Sequence, residues 1–137
     1  MSTLSIEFFS GCLMRPVTFQ VYLPDGLRFP TQGSRKNPHY GRPTKTLFLL
    51  HGYTNNSGEW LYGSSIRFLA EKYNLAVVFP SGENGFYLNG AATGRKYCDF
   101  VGSELVDYMR KVFGLAKGAE DTFIGGLSMG GFGALHT

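Results

Sequence analysis

The chain has 137 residues, 43% of them hydrophobic and 15% aromatic, which suits one globular domain and excludes a disordered segment. Its formal net charge of +3 is too mild to point to nucleic acid or an anionic membrane as a partner. No apolar run approaches the ~18 residues of a spanning helix, and the N-terminus has neither the basic start nor the unbroken apolar core of a signal peptide.

Two stretches near the start, Leu4-Ser5-Ile6-Glu7-Phe8 and Val17 to Leu23, alternate apolar and polar residues. That period of two predicts half-buried strands, antiparallel at a sheet edge. Gly11 to Pro16 reads as their hairpin connection, and Pro24-Asp25-Gly26 ends the second strand with turn chemistry. Cys12 and Cys98 sit in no metal-binding or C-x-x-C spacing, so they read as reduced thiols of a cytoplasmic protein, a disulfide being the alternative. Residues 27–45 are rich in proline, glycine and basic side chains, including Arg28, Arg35, Lys36, Arg42 and Lys45. With no nucleic-acid-binding fold beside it, this stretch is expected to be a solvated surface loop.

The pattern then changes to continuous apolar runs, "TLFLLHG" (46–52), "LAVVFPSG" (75–82) and "DTFIGGLS" (121–128), as in strands of a parallel sheet buried on both faces. Two helical patterns separate them. Residues 64–73 place Ile66, Leu69, Ala70 and Tyr73 on one face, and residues 99–113 do the same for Val101, Leu105, Tyr108 and Val112, with Gly114 as C-cap. Strand and helix in alternation predict parallel βαβ units. No internal repeat or low-complexity tract interrupts them.

Gly126-Leu127-Ser128-Met129-Gly130 has the G-x-S-x-G spacing of a nucleophile elbow. An apolar strand leads into it and a segment of small residues follows. The glycines flanking Ser128 accommodate a strained turn, while Gly131 and Gly133 let the next helix lie close to the sheet. That helix would aim its positive N-terminus at Ser128. A glycine-rich turn with an incidental serine is the alternative. Acyl transfer also needs two backbone donors for an oxyanion. Met129, after the serine, would supply one, and Tyr53, after the strand ending in His51-Gly52, the other. His51 is either structural there or a catalytic base.

These residues resemble the esterase D-like branch of the α/β-hydrolases, which includes tributyrin esterases, S-formylglutathione hydrolases, feruloyl esterases and, more distantly, mycolyltransferases. "LFLLHGYTNNSGEWL", "VVFPSGENGFYLN", "YCDFVGSELVDYMRKVFG" and "FIGGLSMGGFGAL" carry the resemblance over nearly the whole chain. It implies an α/β fold in three αβα layers, an antiparallel edge hairpin followed by parallel βαβ units. It also implies a serine carboxylesterase for short-chain acyl esters, without cofactor or metal, forming an acyl-enzyme on Ser128 with Met129 and Tyr53 as oxyanion amides. Trp60, Glu83, Asn84 and Tyr87 fall on loops near the acyl pocket of such enzymes. The local alternatives are that Trp60 packs the next helix and that Glu83 or Asn84 caps a turn.

The family order is Ser, then Asp or Glu, then His, and here only seven residues follow Gly130. His136 lies two helical turns past Ser128, about 12 Å along the axis, and His39 falls in the basic loop. The expectation is therefore one incomplete domain: edge strands in 1–24, a surface loop in 27–45, and parallel units in 46–137 that stop just after the serine turn. The triad Asp and His would belong to a C-terminal half, and the exposed edge of "TFIGG" would pair with that half or with another copy. An inactive fragment serving as an interaction module, or an acyltransferase of the same fold, are the rival readings.

Overall fold

A computed structural model describes residues 2–26 and 37–137 of the chain. Its five strands are β1 (Ser2–Ser10), β2 (Arg15–Leu23), β3 (Lys45–Leu50), β4 (Leu75–Phe79) and β5 (Thr122–Gly126). They form one sheet in the order β1-β2-β4-β3-β5. β1 pairs antiparallel with β2, and β2 antiparallel with β4, while β3 runs parallel to both β4 and β5. The alternating segments thus form the antiparallel edge and the continuous apolar runs the parallel strands, as their periodicities predict, although only β3 and β4 of these lie in the interior.

The connections decide where a site can form. From β3 the chain moves to β4 on one side, through α1 (Glu59–Gly63) and α2 (Ile66–Tyr73). It then returns past β3 to β5 on the other side, through α3 (Tyr97–Asp99) and α4 (Leu105–Phe113). The direction of winding reverses at β3. Helices consequently cover both faces, and the loops leaving β3 and β5 diverge at their carboxyl ends, where ligands bind in open α/β sheets.

One core lies between the sheet and α4, where Phe19, Val21, Phe48, Leu50 and Val78 meet Phe100, Val101, Leu105 and Met109. The opposite core joins Tyr22, Leu49, Val77 and Phe79 to Leu61 of α1 and Ala70 of α2. The result is the three-layer α/β arrangement implied by the resemblance. β5 is the outer strand on its side, with Phe123 45% and Ile124 38% exposed.

Several local expectations need correction. Arg15 and Pro16 belong to β2, so the hairpin turn is confined to Gly11–Met14. Lys45 starts β3, and Pro38–Gly41 forms a single 3₁₀ turn. Arg28, Arg35 and Lys36 lie outside the described residues. The expected face of α2 is rotated: Leu69 and Tyr73 are exposed, whereas Glu71 is buried beside Ala70. Glu71 tolerates burial because Tyr22 and Tyr40 donate hydroxyl protons to its carboxylate (2.7 and 3.0 Å) and Gly26 donates its N–H (2.9 Å).

In the second helix Val101, Leu105 and Tyr108 meet the core as expected, and Val112 alone of the expected face does not. The helix buries Phe100, Val101, Leu105 and Met109, leaving Val112 57% exposed. Between α3 and α4, residues Phe100–Glu104 form a π turn closed by the Leu105 N–H on the Phe100 carbonyl. A π turn takes up one more residue than an α turn, and the buried stripe steps by four residues from Val101 to Leu105 to Met109. Glu104 in that turn accepts from the Ser10 hydroxyl and, at 2.6 Å, from the Gly11 N–H, and so docks the β1–β2 hairpin onto the helix. Gly114 is the C-cap as expected, left-handed at φ 64. Both cysteines are free thiols. Among the described residues, no helix is long and apolar enough to cross a membrane.

Candidate active site

β5 ends at Gly126, Leu127 and Ser128 turn the chain, and α5 (Met129–His136) begins at once. Ser128 stands at φ 55, ψ −118, a region that side chains avoid, and its side chain is open to solvent. The turn is closed by Gly130 N–H on the Leu127 carbonyl (2.9 Å) and Phe132 N–H on the Ser128 carbonyl (3.0 Å). Two glycines permit it. A Cβ on Gly126 would lie 2.4 Å from the Gly130 carbonyl, and one on Gly130 would lie 2.3 Å from the Leu50 carbonyl oxygen. The helix therefore rests on the bare backbone at the end of β3. Met129, its first residue, holds an N–H beyond the reach of any intrahelical acceptor.

The loop after β3 offers the complementary donor. Gly52 N–H is taken by Glu59 Oε2 at 2.6 Å, and Thr54 N–H by Asn84 Oδ1 at 2.8 Å. Between them, the Tyr53 N–H meets no acceptor among the described residues. Glu59 and Asn84 thus fix the peptides on both sides of an unengaged amide.

His51 is buried at 1% exposure, and both ring nitrogens are committed. Gly82 N–H donates to Nε2 at 2.9 Å, so the proton resides on Nδ1, which donates to the Gly52 carbonyl at 2.7 Å. This ring ties the end of β3 to the loop after β4 and holds no lone pair for a substrate proton. Of the two readings of His51, the structural one matches this geometry. His39 belongs to the 3₁₀ turn that precedes β3, at the opposite end of the parallel strands from Ser128. His136 closes α5 and stacks on Phe132, ring centroids 5.6 Å apart.

The remaining sequence-predicted residues divide. Asn84 reaches the site through Thr54, and Glu83 is exposed on the same loop, held by Arg15 at 2.8 Å. Tyr87 is fully buried: its hydroxyl donates to the His51 carbonyl at 3.0 Å, and its ring fills the space where Gly82 and Gly133 lack side chains. Burial pushes its phenol well above the ordinary tyrosine range. It supports the site from below. Trp60 packs in the core of the opposite sheet face, and its indole N–H donates to the Leu50 carbonyl at 2.9 Å, which fits the helix-packing alternative.

Among the described residues, five of the eight non-glycine positions at positive φ (Thr54, Glu83, Phe86, Tyr87 and Ser128) cluster on the loops after β3, β4 and β5. Such strain persists only where surrounding structure holds it, and it gathers at functional sites. A string of ring contacts crosses the loops from Tyr53 to Phe86 and on to Phe132, each step 6.0 Å. Sequence reasoning missed Glu59 and Gly82. Glu59 is an acidic residue in the first turn of a helix, a visible signal, but nothing local shows that it bends back to the Gly52 amide.

The Esterase family model matches residues 10–137. The acetyl esterase of Caldicellulosiruptor saccharolyticus is 42% identical over 136 residues, which cover 99% of this chain and 50% of the relative. Among solved structures, the fluorophosphonate-binding serine hydrolase FphF of Staphylococcus aureus superimposes with TM-score 0.79 at 32% identity, over 96% of this chain and 49% of that one. The S-formylglutathione hydrolase FrmB of Staphylococcus aureus gives TM-score 0.75 at 30% identity, over 96% and 49%. The chain spans about half the length of these relatives.

Proposed function

The chain belongs to the Esterase family, and from that premise we propose that Ser128 is the nucleophile of a serine carboxylesterase acting on short-chain acyl esters. The observation that carries this reading is the juxtaposition of a strained, exposed serine at a helix N-terminus with a loop whose one unengaged amide is Tyr53. Ser128 Oγ attacks the acyl carbon, its proton passes to a general base, and the carbonyl oxygen becomes an oxyanion between the Met129 and Tyr53 amides. Collapse of that intermediate expels the alcohol, which takes the proton from the base. Water then adds to the acyl-enzyme by the same route and releases the acid. No step calls for a cofactor.

The base and its carboxylate partner are proposed to come from outside this chain. His51 has no free nitrogen, His39 lies at the far end of the sheet, and His136 is two turns along α5 from Ser128. A segment pairing with the outer strand β5 would arrive beside the serine turn and cover Phe123 and Ile124. The acetyl esterase relative supports a short acyl group, and the two free thiols fit a reducing cytoplasm. Labelling with a fluorophosphonate probe tests the nucleophile. A sample containing both this chain and the missing catalytic partners should label at Ser128 and lose the label in Ser128→Ala, whereas Ser128-independent labelling refutes the assignment.

The exposed β5 edge favours a second reading, in which the chain by itself is an inactive interaction module. Robust, Ser128-dependent ester turnover by the 137-residue chain alone would exclude it. Acyl transfer uses the same residues, and only the yield of new ester when alcohol acceptors are added separates it from hydrolysis.

A further inference from the structure

The loop after β4 folds around an open cleft of about 360 Å³, lined by Glu83, Asn84, Gly85, Leu88, Arg95 and Tyr97. This volume is at the small end for small-molecule sites. Its walls are braced. Asn89 bridges to Lys96, Gly90 N–H donates to the Arg95 carbonyl at 2.8 Å, and the Asn89 amide donates to Asp99 at 2.9 Å. Tyr87, fully buried, pins the middle of the same loop to the core.

The polar groups of the cleft are unevenly satisfied. Arg15 holds the Glu83 carboxylate at 2.8 Å and also reaches the Tyr97 hydroxyl at 3.3 Å, so that wall is neutralised. Arg95, an exposed residue of the same lining, pairs with no carboxylate among the described residues. Its guanidinium carries five N–H donors in a planar fork that matches a carboxylate. The cleft also adjoins the reaction centre. Asn84 in its wall accepts from the Thr54 N–H, the peptide next to the Tyr53 amide, and Phe86 of the same loop contacts both Tyr53 and Phe132. An ester held at the Tyr53 and Met129 amides therefore meets apolar rings on one side and this polar cleft beyond Asn84. A short acyl chain has nothing to gain from the polar cleft, and an anionic alcohol does.

We infer that the cleft is a leaving-group subsite, in which Arg95 binds a carboxylate carried by the alcohol released from the ester. The inference rests on the Ser128 reading, and the two can fail separately. Para-nitrophenyl acetate and its ring-carboxylated analogue share an acyl group and differ in the carboxylate on the leaving group, and comparing their ratio between variants cancels their intrinsic reactivities. In the catalytically complete protein, the kcat/KM ratio of the carboxylated over the neutral ester should fall about tenfold in Arg95→Met, with partial recovery in Arg95→Lys. An unchanged ratio overturns the subsite. Titration of the free carboxylated nitrophenol, followed by its absorbance or by NMR, reads the same cleft without turnover. Arg95→Met should weaken that binding about tenfold, and equal binding overturns the subsite as well. Arg95-dependent binding with no turnover of either ester would sink the serine reading and keep the subsite. Ser128-dependent turnover with an Arg95-independent ratio and binding would do the reverse.

Discussion

Gly130 and Gly131 are neighbours in α5, and replacing each by alanine separates helix propensity from backbone packing. Propensity alone predicts that both substitutions stabilise, since glycine in a helix interior is about 1 kcal/mol worse than alanine. At Gly131 a new Cβ would meet only the Gly126 carbonyl oxygen at 3.4 Å, an ordinary contact, so the propensity gain should survive. At Gly130 the same carbon would lie 2.3 Å from the Leu50 carbonyl oxygen and 2.7 Å from that of His51. Both are main-chain atoms at the end of a central strand, and neither can turn aside as a side chain can. Relieving the overlap means lifting α5 off β3 by about 1 Å, at a cost near the upper end for overpacking, about 3 kcal/mol. The net expectation is that Gly131→Ala stabilises by about 1 kcal/mol and Gly130→Ala destabilises by about 2 kcal/mol. Urea denaturation of the two variants beside the parent protein measures both. A Gly130→Ala protein as stable as the parent would refute the close approach of helix and strand.

Three further outcomes follow from named contacts. Ser128→Gly should raise stability by about 1 kcal/mol while abolishing fluorophosphonate labelling, because glycine accepts the positive φ that strains the serine; a loss of stability would show that the turn is not strained. Glu59→Ala removes the charged acceptor of the Gly52 amide and should cost about 2 kcal/mol in chemical denaturation, with Glu59→Gln recovering about half; equal stability of all three proteins would contradict the bond. Burial, helped by a hydrogen bond to Glu71, raises the Tyr40 phenol from its ordinary 10 to about 12. Between those values the unfolded chain loses the proton first, so stability contributed by neutral Tyr40 is present below pH 10 and falls as pH rises toward 12. Tyr40→Phe should flatten that part of the stability profile, and an unchanged slope would contradict the assignment.

Side chains with local reasons were readable in the chain. The serine turn announces itself because strain at one residue demands glycine within two positions on either side, a purely local requirement. The strands announce themselves by period, alternating in β1 and β2 and continuous in β3 and β4, where both faces are covered; β5 has the continuous pattern too, yet Phe123 and Ile124 are exposed. The helix faces were misread for equally physical reasons. Val101 and Leu105 face the core as expected, but the stripe runs on to Met109 while Val112 is exposed, and Glu71 took a buried position that hydropathy denies to a carboxylate until Tyr22, Gly26 and Tyr40 converge on it.

The division is sharpest at the candidate site. The exposed Ser128, the glycines around it and the helix that starts at Met129 follow from short-range pattern, because a sharp turn and a helix terminus are built from consecutive residues. Which of the nearby polar and aromatic residues face a substrate is a long-range matter. Tyr87 lies under the loops because Gly82 and Gly133, 51 positions apart in sequence, leave it a slot. His51 lost its place as a candidate base only when the Gly82 amide came to its Nε2. Glu83 is held by Arg15, 68 positions away in sequence, a pairing that no local pattern announces. Local sequence sets the backbone chemistry of the turn; the assignment of partners across the sheet waits for the chain to pack.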